Sequence, residues 1–399
     1  MYNIAIMGFG VIGSGVYDIA RKNGTLIEGR AGEEIRIKRI LDLRDFDGHP
    51  ASSLITHSFD DIINDPEISL VVETMGGVEP AFSFEKRLLA SGRHVVTSNK
   101  ELVEEKGFEL FEAAREGGAL FLYEASVGGG IPIIRNLTDC IVADRIDEIS
   151  GILNGTTNYI LSSMTDEGIS YEEALKKALE LGYAEKDPSA DVEGLDAGRK
   201  IAILASIVLG KTVHLCDVVT EGITGISSTD FSYARELNMS IKLVAEAVFE
   251  CGGVRALVAP RLVPVTNSLH DVSGVLNAVT VHGDMSDTLM FYGRGAGSHA
   301  TASAVWADII SAVRGAGSSS WSGERALILD PQEARHAFFV RISGSIESAH
   351  EVIGLFGGGS PVSAKKRGEF GFVTPVMSEA EFSLKSAQLD GFIKRIRVK

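Results

Sequence analysis

The sequence predicts an α/β chain in three parts: a parallel sheet covered by helices on both faces over residues 1–144, an α+β part over 145–315, and, after a linker at 316–334, a βαββαβ module over 335–399. Three observations predict it. Short apolar runs alternate with helix-compatible stretches through the first part, a glycine-spaced turn follows the first run, and the closing signals fall in the order strand, helix, strand, strand, helix, strand.

The apolar runs of the first part are residues 4–7, 35–43, 70–74, 94–97 and 119–123, and their alternation with helical stretches is the pattern of a doubly wound sheet. In the second part, helical periodicity at 171–181, 194–209 and 299–313 flanks strand-like stretches at 254–265 and 278–282. Gly315-Ala316-Gly317-Ser318-Ser319-Ser320 opens the linker. Beyond it, strands are expected at 338–342, 361–366, 370–377 and 392–398, and helices at 348–356 and 380–388.

With 399 residues, 45% of them hydrophobic and 23% charged, the chain has material for more than one core. A formal net charge of -16 excludes a nucleic-acid footprint, which needs clustered positive charge against phosphate. No apolar run reaches the roughly 18 residues of a spanning helix. The start at Asn3 reads as a strand rather than a secretory leader, so a cytoplasmic protein is expected. Cys140, Cys216 and Cys251 lack a Cys-x-x-Cys spacing and are expected to be buried structural thiols, neither bridged nor bound to zinc.

The first run leads directly into Gly8-Phe9-Gly10-Val11-Ile12-Gly13 and then a helix. In that context Gly8 permits the tight turn, Gly10 lets backbone approach a pyrophosphate, and Gly13 allows the helix to pack on the strand, whose helix N-terminus then faces the phosphates. This is a Rossmann-type dinucleotide site. At the end of the second run, Asp42 suits a ribose diol and Arg44 suits a 2′-phosphate, so both NAD and NADP stay open. Thr74-Met75-Gly76-Gly77 puts small residues at the carboxyl edge of the sheet, where a cofactor crosses, and Lys100 sits at a helix start, where a cation needs an anionic or polar partner.

One segment concentrates acids around a lysine: Gly182-Tyr183-Ala184-Glu185-Lys186-Asp187-Pro188-Ser189-Ala190-Asp191, then Val192-Glu193-Gly194-Leu195-Asp196-Ala197-Gly198-Arg199-Lys200. Asp196 and Lys200 share one face of a helix, which by itself describes a salt bridge as well as a catalytic pair.

This segment resembles the signature of homoserine dehydrogenases. Three further stretches resemble that family in the expected order: Tyr123-Glu124-Ala125-Ser126-Val127-Gly128-Gly129-Gly130-Ile131-Pro132, Gly151-Ile152-Leu153-Asn154-Gly155-Thr156-Thr157-Asn158-Tyr159, and Gly293-Arg294-Gly295-Ala296-Gly297 before Thr301-Ala302-Ser303. No kinase-like region precedes the glycine loop in this sequence, so a monofunctional form rather than a fused aspartate kinase is expected. The resemblance implies reversible hydride transfer between L-homoserine and NAD or NADP, yielding L-aspartate 4-semialdehyde, in threonine, methionine and isoleucine biosynthesis.

The resemblance further implies that Lys200 is the acid/base, that Lys100 assists near the nicotinamide, and that Glu185 and Asp196 bind substrate with Asp191 in the same cluster. It implies a sodium ion held by Glu124 and the backbone oxygens of Val127, Gly129 and Ile131, close approach of Gly295 to the cofactor, and a homodimer or larger homo-oligomer. Backbone amides at 155–157 are candidate donors to the substrate carboxylate. The closing βαββαβ module resembles an ACT domain, but Ser343-Gly344-Ser345-Ile346-Glu347 lacks the acidic-then-glycine ligand loop of such domains, so a structural or oligomeric use is expected. Two competing readings remain: another amino-acid semialdehyde oxidoreductase, which would need a cysteine nucleophile, and a non-catalytic nicotinamide-sensing regulator.

Overall fold

The computed structural model describes residues 1–317, 319–362 and 367–399, and the chain divides into two compact units. The first comprises Met1–Arg145, Ala202–Leu215 and Phe291–Ala326; the second comprises Ile146–Ile201, Cys216–Met290 and Leu327–Lys399. Contacts rather than chain order set this division, so the helix Ser298–Val313 falls in the first unit and the closing βαββαβ residues in the second.

The first unit is built on strands β1 (Tyr2–Met7), β2 (Ile35–Leu41), β3 (Ile55–Thr56), β4 (Ile68–Glu73), β5 (His94–Thr97) and β6 (Phe121–Leu122). They lie in the order β3-β2-β1-β4-β5-β6 with every neighbour parallel. Ile4, Ile6, Leu70, Val72 and Val96 are wholly buried, as expected of strands covered on both faces. The strand order reverses at β1 and β4, so the crevice at their carboxyl ends is the natural ligand position. The helix Val11–Ala31 covers β1, and Ser298–Val313 packs on that helix: Trp306 Nε1 donates to the Val16 carbonyl at 2.9 Å and Ser298 Oγ to the Val11 carbonyl at 2.7 Å.

In the second unit, Met239–Glu250 and Gly253–Pro264 form a long antiparallel hairpin. Its tip, Cys251 at φ 51° and Gly252 at φ 73°, has the two positive dihedrals of a hairpin turn whose twist matches the strands. Ile146–Ile152 pairs with the first arm and Leu276–Gly283 with Ile146–Ile152. On the other side, Phe392–Val398 joins Gly253–Pro264 in parallel, and Phe338–Ser343, Glu369–Val373 and Pro361–Val362 follow, each antiparallel to its neighbour. The closing four strands thus take the antiparallel fourth-first-third-second order of a ferredoxin-like βαββαβ unit, and they extend the sheet of the middle part. The helices Ala349–Leu355 and Glu379–Ser386 bury Ile353 and Phe382 against Phe338, Phe370 and Phe372. Of the strand expected at 361–366, residues 363–366 lie outside the described residues, as does Ser318 of the expected linker.

The cysteine expectation is corrected: Cys140, Cys216 and Cys251 are all exposed and free. Each ends or interrupts an element rather than facing a core, Cys251 in the hairpin tip, Cys140 at the close of the turn Asn136–Cys140 and Cys216 in the turn Leu215–Asp217. No helix among the described residues is long and apolar enough to cross a membrane.

Candidate functional site

The glycine loop has the geometry a pyrophosphate needs. Gly8 has φ 92°, and a Cβ there would come within 2.8 Å of the Thr74 carbonyl. A Cβ on Gly13 would sit 2.0 Å from the Gly8 carbonyl oxygen, so the helix packs on its own loop only without a side chain. Gly10 differs, because a Cβ there meets no atom within 4 Å. The space over Gly10 is therefore not taken by protein, and the helix beginning at Val11 has neither a side-chain cap nor an acid in its first turn. Its free N–H groups and dipole face that space, the combination that attracts a phosphate.

Asp42 and Arg44 form a fork beside this loop: Arg44 Nε donates to Asp42 Oδ1 at 2.9 Å and its terminal nitrogen to Oδ2 at 2.8 Å. The same carboxylate accepts the Phe9 N–H at 2.7 Å. The Arg44 bonds hold the Asp42 carboxyl well below the usual range. Arg44 itself remains mostly exposed and lies over the Phe46 ring, 5.1 Å from its centroid.

Thr74 ties the end of β4 to the loop, its hydroxyl donating to the Gly8 carbonyl at 2.8 Å. Lys100 opens the helix Lys100–Gly117, capped by Asn99 through the Leu102 N–H. The Gly295 carbonyl packs on Gly129, where a Cβ would come within 2.1 Å of it. Tight packing of two backbones is what this geometry shows.

Asp196 and Lys200, both in the second unit, lie one turn apart on the helix Leu195–Leu209 and are both buried. Lys200 Nζ donates to Asp196 Oδ2 at 2.8 Å and to the Leu153 carbonyl at 2.8 Å. The Asn154 amide donates to the same Asp196 oxygen at 2.8 Å and to Asp191 Oδ1 at 2.7 Å. Asn154 Oδ1 meanwhile accepts from the Thr157 N–H and hydroxyl, capping the helix Gly155–Glu167. Asp191, Asp196 and Lys200 are thus brought together. Glu185 is not: it stands exposed on the loop before the short helix Ser189–Val192, outside this hydrogen-bonded group. Thr156 of the adjoining turn donates to the Tyr183 carbonyl at 2.6 Å, which anchors that loop.

Glu124 is buried in the first unit, and its two carboxylate oxygens accept the backbone N–H groups of Ile134 and Arg135 at 2.9 and 2.8 Å. Its own N–H donates to Asp308, which also takes the Arg135 guanidinium at 2.7 Å. Burial, with the Glu124 charge beside it, pushes Asp308 up to about 7. Val127 and Ile131 are buried in the same turn, and the Ile131 N–H donates to the Gly128 carbonyl at 2.9 Å. Two buried carboxylates against one guanidinium is a charge balance that a small cation would improve, and carbonyl oxygens are suitable hard donors. No group of three or more His, Cys, Asp or Glu side chains able to hold a metal occurs among the described residues.

Asn154 and Asp308 are the residues that sequence reasoning did not single out. An Asn two residues before a Thr pair is a recognisable helix cap; nothing local points from it to Asp191 and Asp196, or from Asp308 to Glu124.

Two family profiles cover most of the chain: the NAD-binding domain of homoserine dehydrogenase matches residues 8–124, and homoserine dehydrogenase matches residues 132–310. A homoserine dehydrogenase of Synechocystis sp. is 44% identical over 317 residues, 78% of this chain and 73% of that protein. The crystal structure of a homoserine dehydrogenase from Thiobacillus denitrificans superposes with a TM-score of 0.91 at 35% identity, covering 100% of this chain and 98% of that one. A hyperthermophilic archaeal homoserine dehydrogenase in complex with NADPH gives a TM-score of 0.66 at 27% identity, covering 79% of this chain and 98% of that one. The chain belongs to the homoserine dehydrogenase family, oxidoreductases that interconvert L-homoserine and L-aspartate 4-semialdehyde with a nicotinamide cofactor.

Proposed function

We propose that Lys200 is the acid/base of this reaction and that the group around it, Asp191, Asn154 and Asp196, binds the amino-alcohol end of the substrate. The observation that carries this is the buried Lys200–Asp196 pair, tied to a second acid through a neutral amide. Oxidising homoserine needs a group to take the hydroxyl proton as hydride leaves the same carbon, and a buried lysine supplies one. A bound nicotinamide supplies the hydride acceptor. Surplus acid in the cluster suits the substrate ammonium, and the exposed Glu185 is free to add a second anionic contact. Gly155 and Thr156, in the first turn of their helix, offer backbone N–H donors to the substrate carboxylate. Lys100 assists near the nicotinamide.

The cofactor roles follow the glycine loop: Gly8, Phe9, Gly10, Val11, Ile12 and Gly13 hold the pyrophosphate, with Thr74 and Gly295 beside it. NADP is favoured over NAD. Asp42 is already occupied by Arg44 and the Phe9 N–H, so it is poorly placed to take a ribose diol, whereas the exposed Arg44 guanidinium retains donors for a 2′-phosphate. The archaeal relative's complex with NADPH supports the same preference. Glu124 with the carbonyls of Val127, Gly129 and Ile131 would hold sodium, which supplies local positive charge rather than a reacting group.

The protein is proposed to act in the cytoplasm as a homodimer or larger homo-oligomer. Exposed Leu289, Met290 and Tyr292 on the strand Asp287–Arg294 support self-association. The first 144 residues bind cofactor, residues 145–315 bind substrate, and the ACT-like residues 335–399, continuous with the adjoining sheet, serve structure or assembly. One assay tests the central reading: reduction of NAD and NADP with L-homoserine, and oxidation of the reduced forms with aspartate semialdehyde, for the parent protein and Arg44→Ala. Selective loss of NADP activity in the variant is expected; equal loss with both cofactors would remove Arg44 from 2′-phosphate recognition.

A further inference from the structure

We infer that Glu85 is a positioning residue of the cofactor site: it shares one proton with Glu73, and the pair holds the 74–77 turn in the shape that meets the glycine loop. This rests on the reading of that turn as a cofactor contact.

Glu73 closes β4 and is wholly buried. One of its oxygens accepts the Met75 N–H at 2.5 Å and the Gly76 N–H at 3.3 Å; the other accepts the Thr97 hydroxyl at 2.6 Å. The acid therefore folds the chain back on itself immediately after the strand. Glu85, on the helix Ala81–Ala90, is equally buried and packs its carboxyl against Glu73 and Thr97. Neither Glu85 oxygen receives a hydrogen bond among the described residues.

Two carboxylates in contact and wholly shut off from solvent cannot both carry charge. Glu73 has three donors that stabilise its anion and Glu85 has none, so the proton belongs on Glu85. Burial and the facing Glu73 charge push Glu85 well above the usual carboxylate range, in line with that geometry. A neutral Glu85 becomes a donor, and Glu73 is the acceptor it meets. The Glu85 hydroxyl is then satisfied, and its other oxygen is left as a neutral carbonyl rather than a buried charge.

The consequence reaches the phosphate loop in two steps. Glu73 sets the path of Met75 and Gly76, whose neighbour Thr74 bonds the Gly8 carbonyl and stands 2.8 Å from where a Gly8 Cβ would be. The far end of the turn is fixed separately, by Asn99 donating to the Gly77 carbonyl at 2.6 Å. Losing the Glu85 proton would leave an unsatisfied anion under the near end only.

Glu85→Gln keeps a neutral donor, whereas Glu85→Leu removes it at similar volume. Titration with NADPH should give a Kd within about twofold of the parent for Glu85→Gln and roughly tenfold weaker for Glu85→Leu, with the homoserine KM at saturating cofactor unchanged. Infrared difference spectra, parent minus Glu85→Gln at neutral pH, should show a protonated-carboxyl stretch that belongs to Glu85 and is separate from that of Asp308, a measurement that stands even where Glu85→Leu fails to fold. Absence of that band, or equal NADPH affinity in the two variants, would overturn the shared proton as a positioning device. Thr74→Val tests the underlying reading by itself: unchanged NADPH affinity there would detach the turn from the cofactor while the infrared band still reports the pair.

Discussion

Lys200 donates to Asp196 from one turn further along the same helix, at 2.8 Å, with both side chains closed off from solvent. An exposed pair at this spacing contributes little, on the order of 0.3–0.5 kcal/mol. A buried one is a different object, because desolvating two charges offsets most of their attraction. Its presence is better explained by chemistry than by stability. Lys200→Ala is expected to lower turnover roughly 10²-fold or more while leaving NADPH affinity close to the parent. Steady-state kinetics with a separate cofactor titration checks it, and near-parent turnover would move the proton transfer elsewhere.

Asn154 makes that pair part of a larger arrangement. Its amide is a neutral link between two acids, donating to both Asp191 and Asp196. Asn154→Ala should unlink the acids, uncap the helix Gly155–Glu167, and reduce both stability and kcat/KM for homoserine. The lost cap costs about 1 kcal/mol. Asn154→Asp retains a capping oxygen but puts a third carboxylate against the other two. Its kinetic defect should therefore exceed its stability defect, read from turnover and thermal denaturation side by side; parallel losses would make Asn154 purely a cap.

What the sequence disclosed of this site was local. The strand, glycine loop and helix at the N-terminus occupy consecutive residues, and the spacing of Asp196 and Lys200 fits one helical face. The Asn154 bonds join residues 37 and 42 positions apart, and no periodicity carries that. The same limit hid Met239–Glu250: its Lys242 and Glu246 interrupt an apolar pattern, and they are buried only because the Val272 carbonyl, Arg261 and Lys399 meet them. Glu124 was legible as an important acid, but not the two backbone N–H groups it binds from ten and eleven residues on.

The second and third glycines of the phosphate loop should separate on mutation. Gly13→Ala places a methyl 2.0 Å from a backbone oxygen that cannot yield, so the folded unit should lose stability before binding is measured. Gly10 has φ -83°, which any residue adopts, and open space at Cβ. Gly10→Val should fold with a near-parent Tm and bind NADPH more weakly, because only the pyrophosphate approach is obstructed. A fully active Gly10→Val would contradict the loop assignment.

Asp308 gives a pH dependence with a definite sign. Its folded value, about 7, lies above the ordinary 3.8, so folding favours the protonated acid. The stabilisation is complete below about pH 4 and is lost as pH rises through about 7. Asp308→Asn, which keeps an acceptor for the Glu124 N–H, should flatten this part of the stability profile in denaturant titrations across that window. Sodium bound at Glu124 would favour the ionised acid, so the parent's slope should be shallower in sodium than in tetramethylammonium at equal ionic strength. Identical slopes in both salts would remove the cation.

Glu185 is the acid that the folded chain leaves outside the Lys200 cluster, exposed on its loop. An exposed carboxylate with no partner among the described residues has little to do for stability, and Glu185→Gln should leave Tm unchanged. Removing the charge at nearly constant shape should weaken the proposed charge-assisted contact to the homoserine ammonium, worth roughly 1.5–3 kcal/mol when fully formed. The homoserine KM should rise, with the cofactor KM unaffected. A contact that strengthens in the transition state would lower kcat as well, whereas uniform binding confines the defect to KM. Initial rates varied against each substrate in turn separate these cases. Unchanged homoserine kinetics would leave Asp191 and Asp196 as the only acids serving the ammonium group.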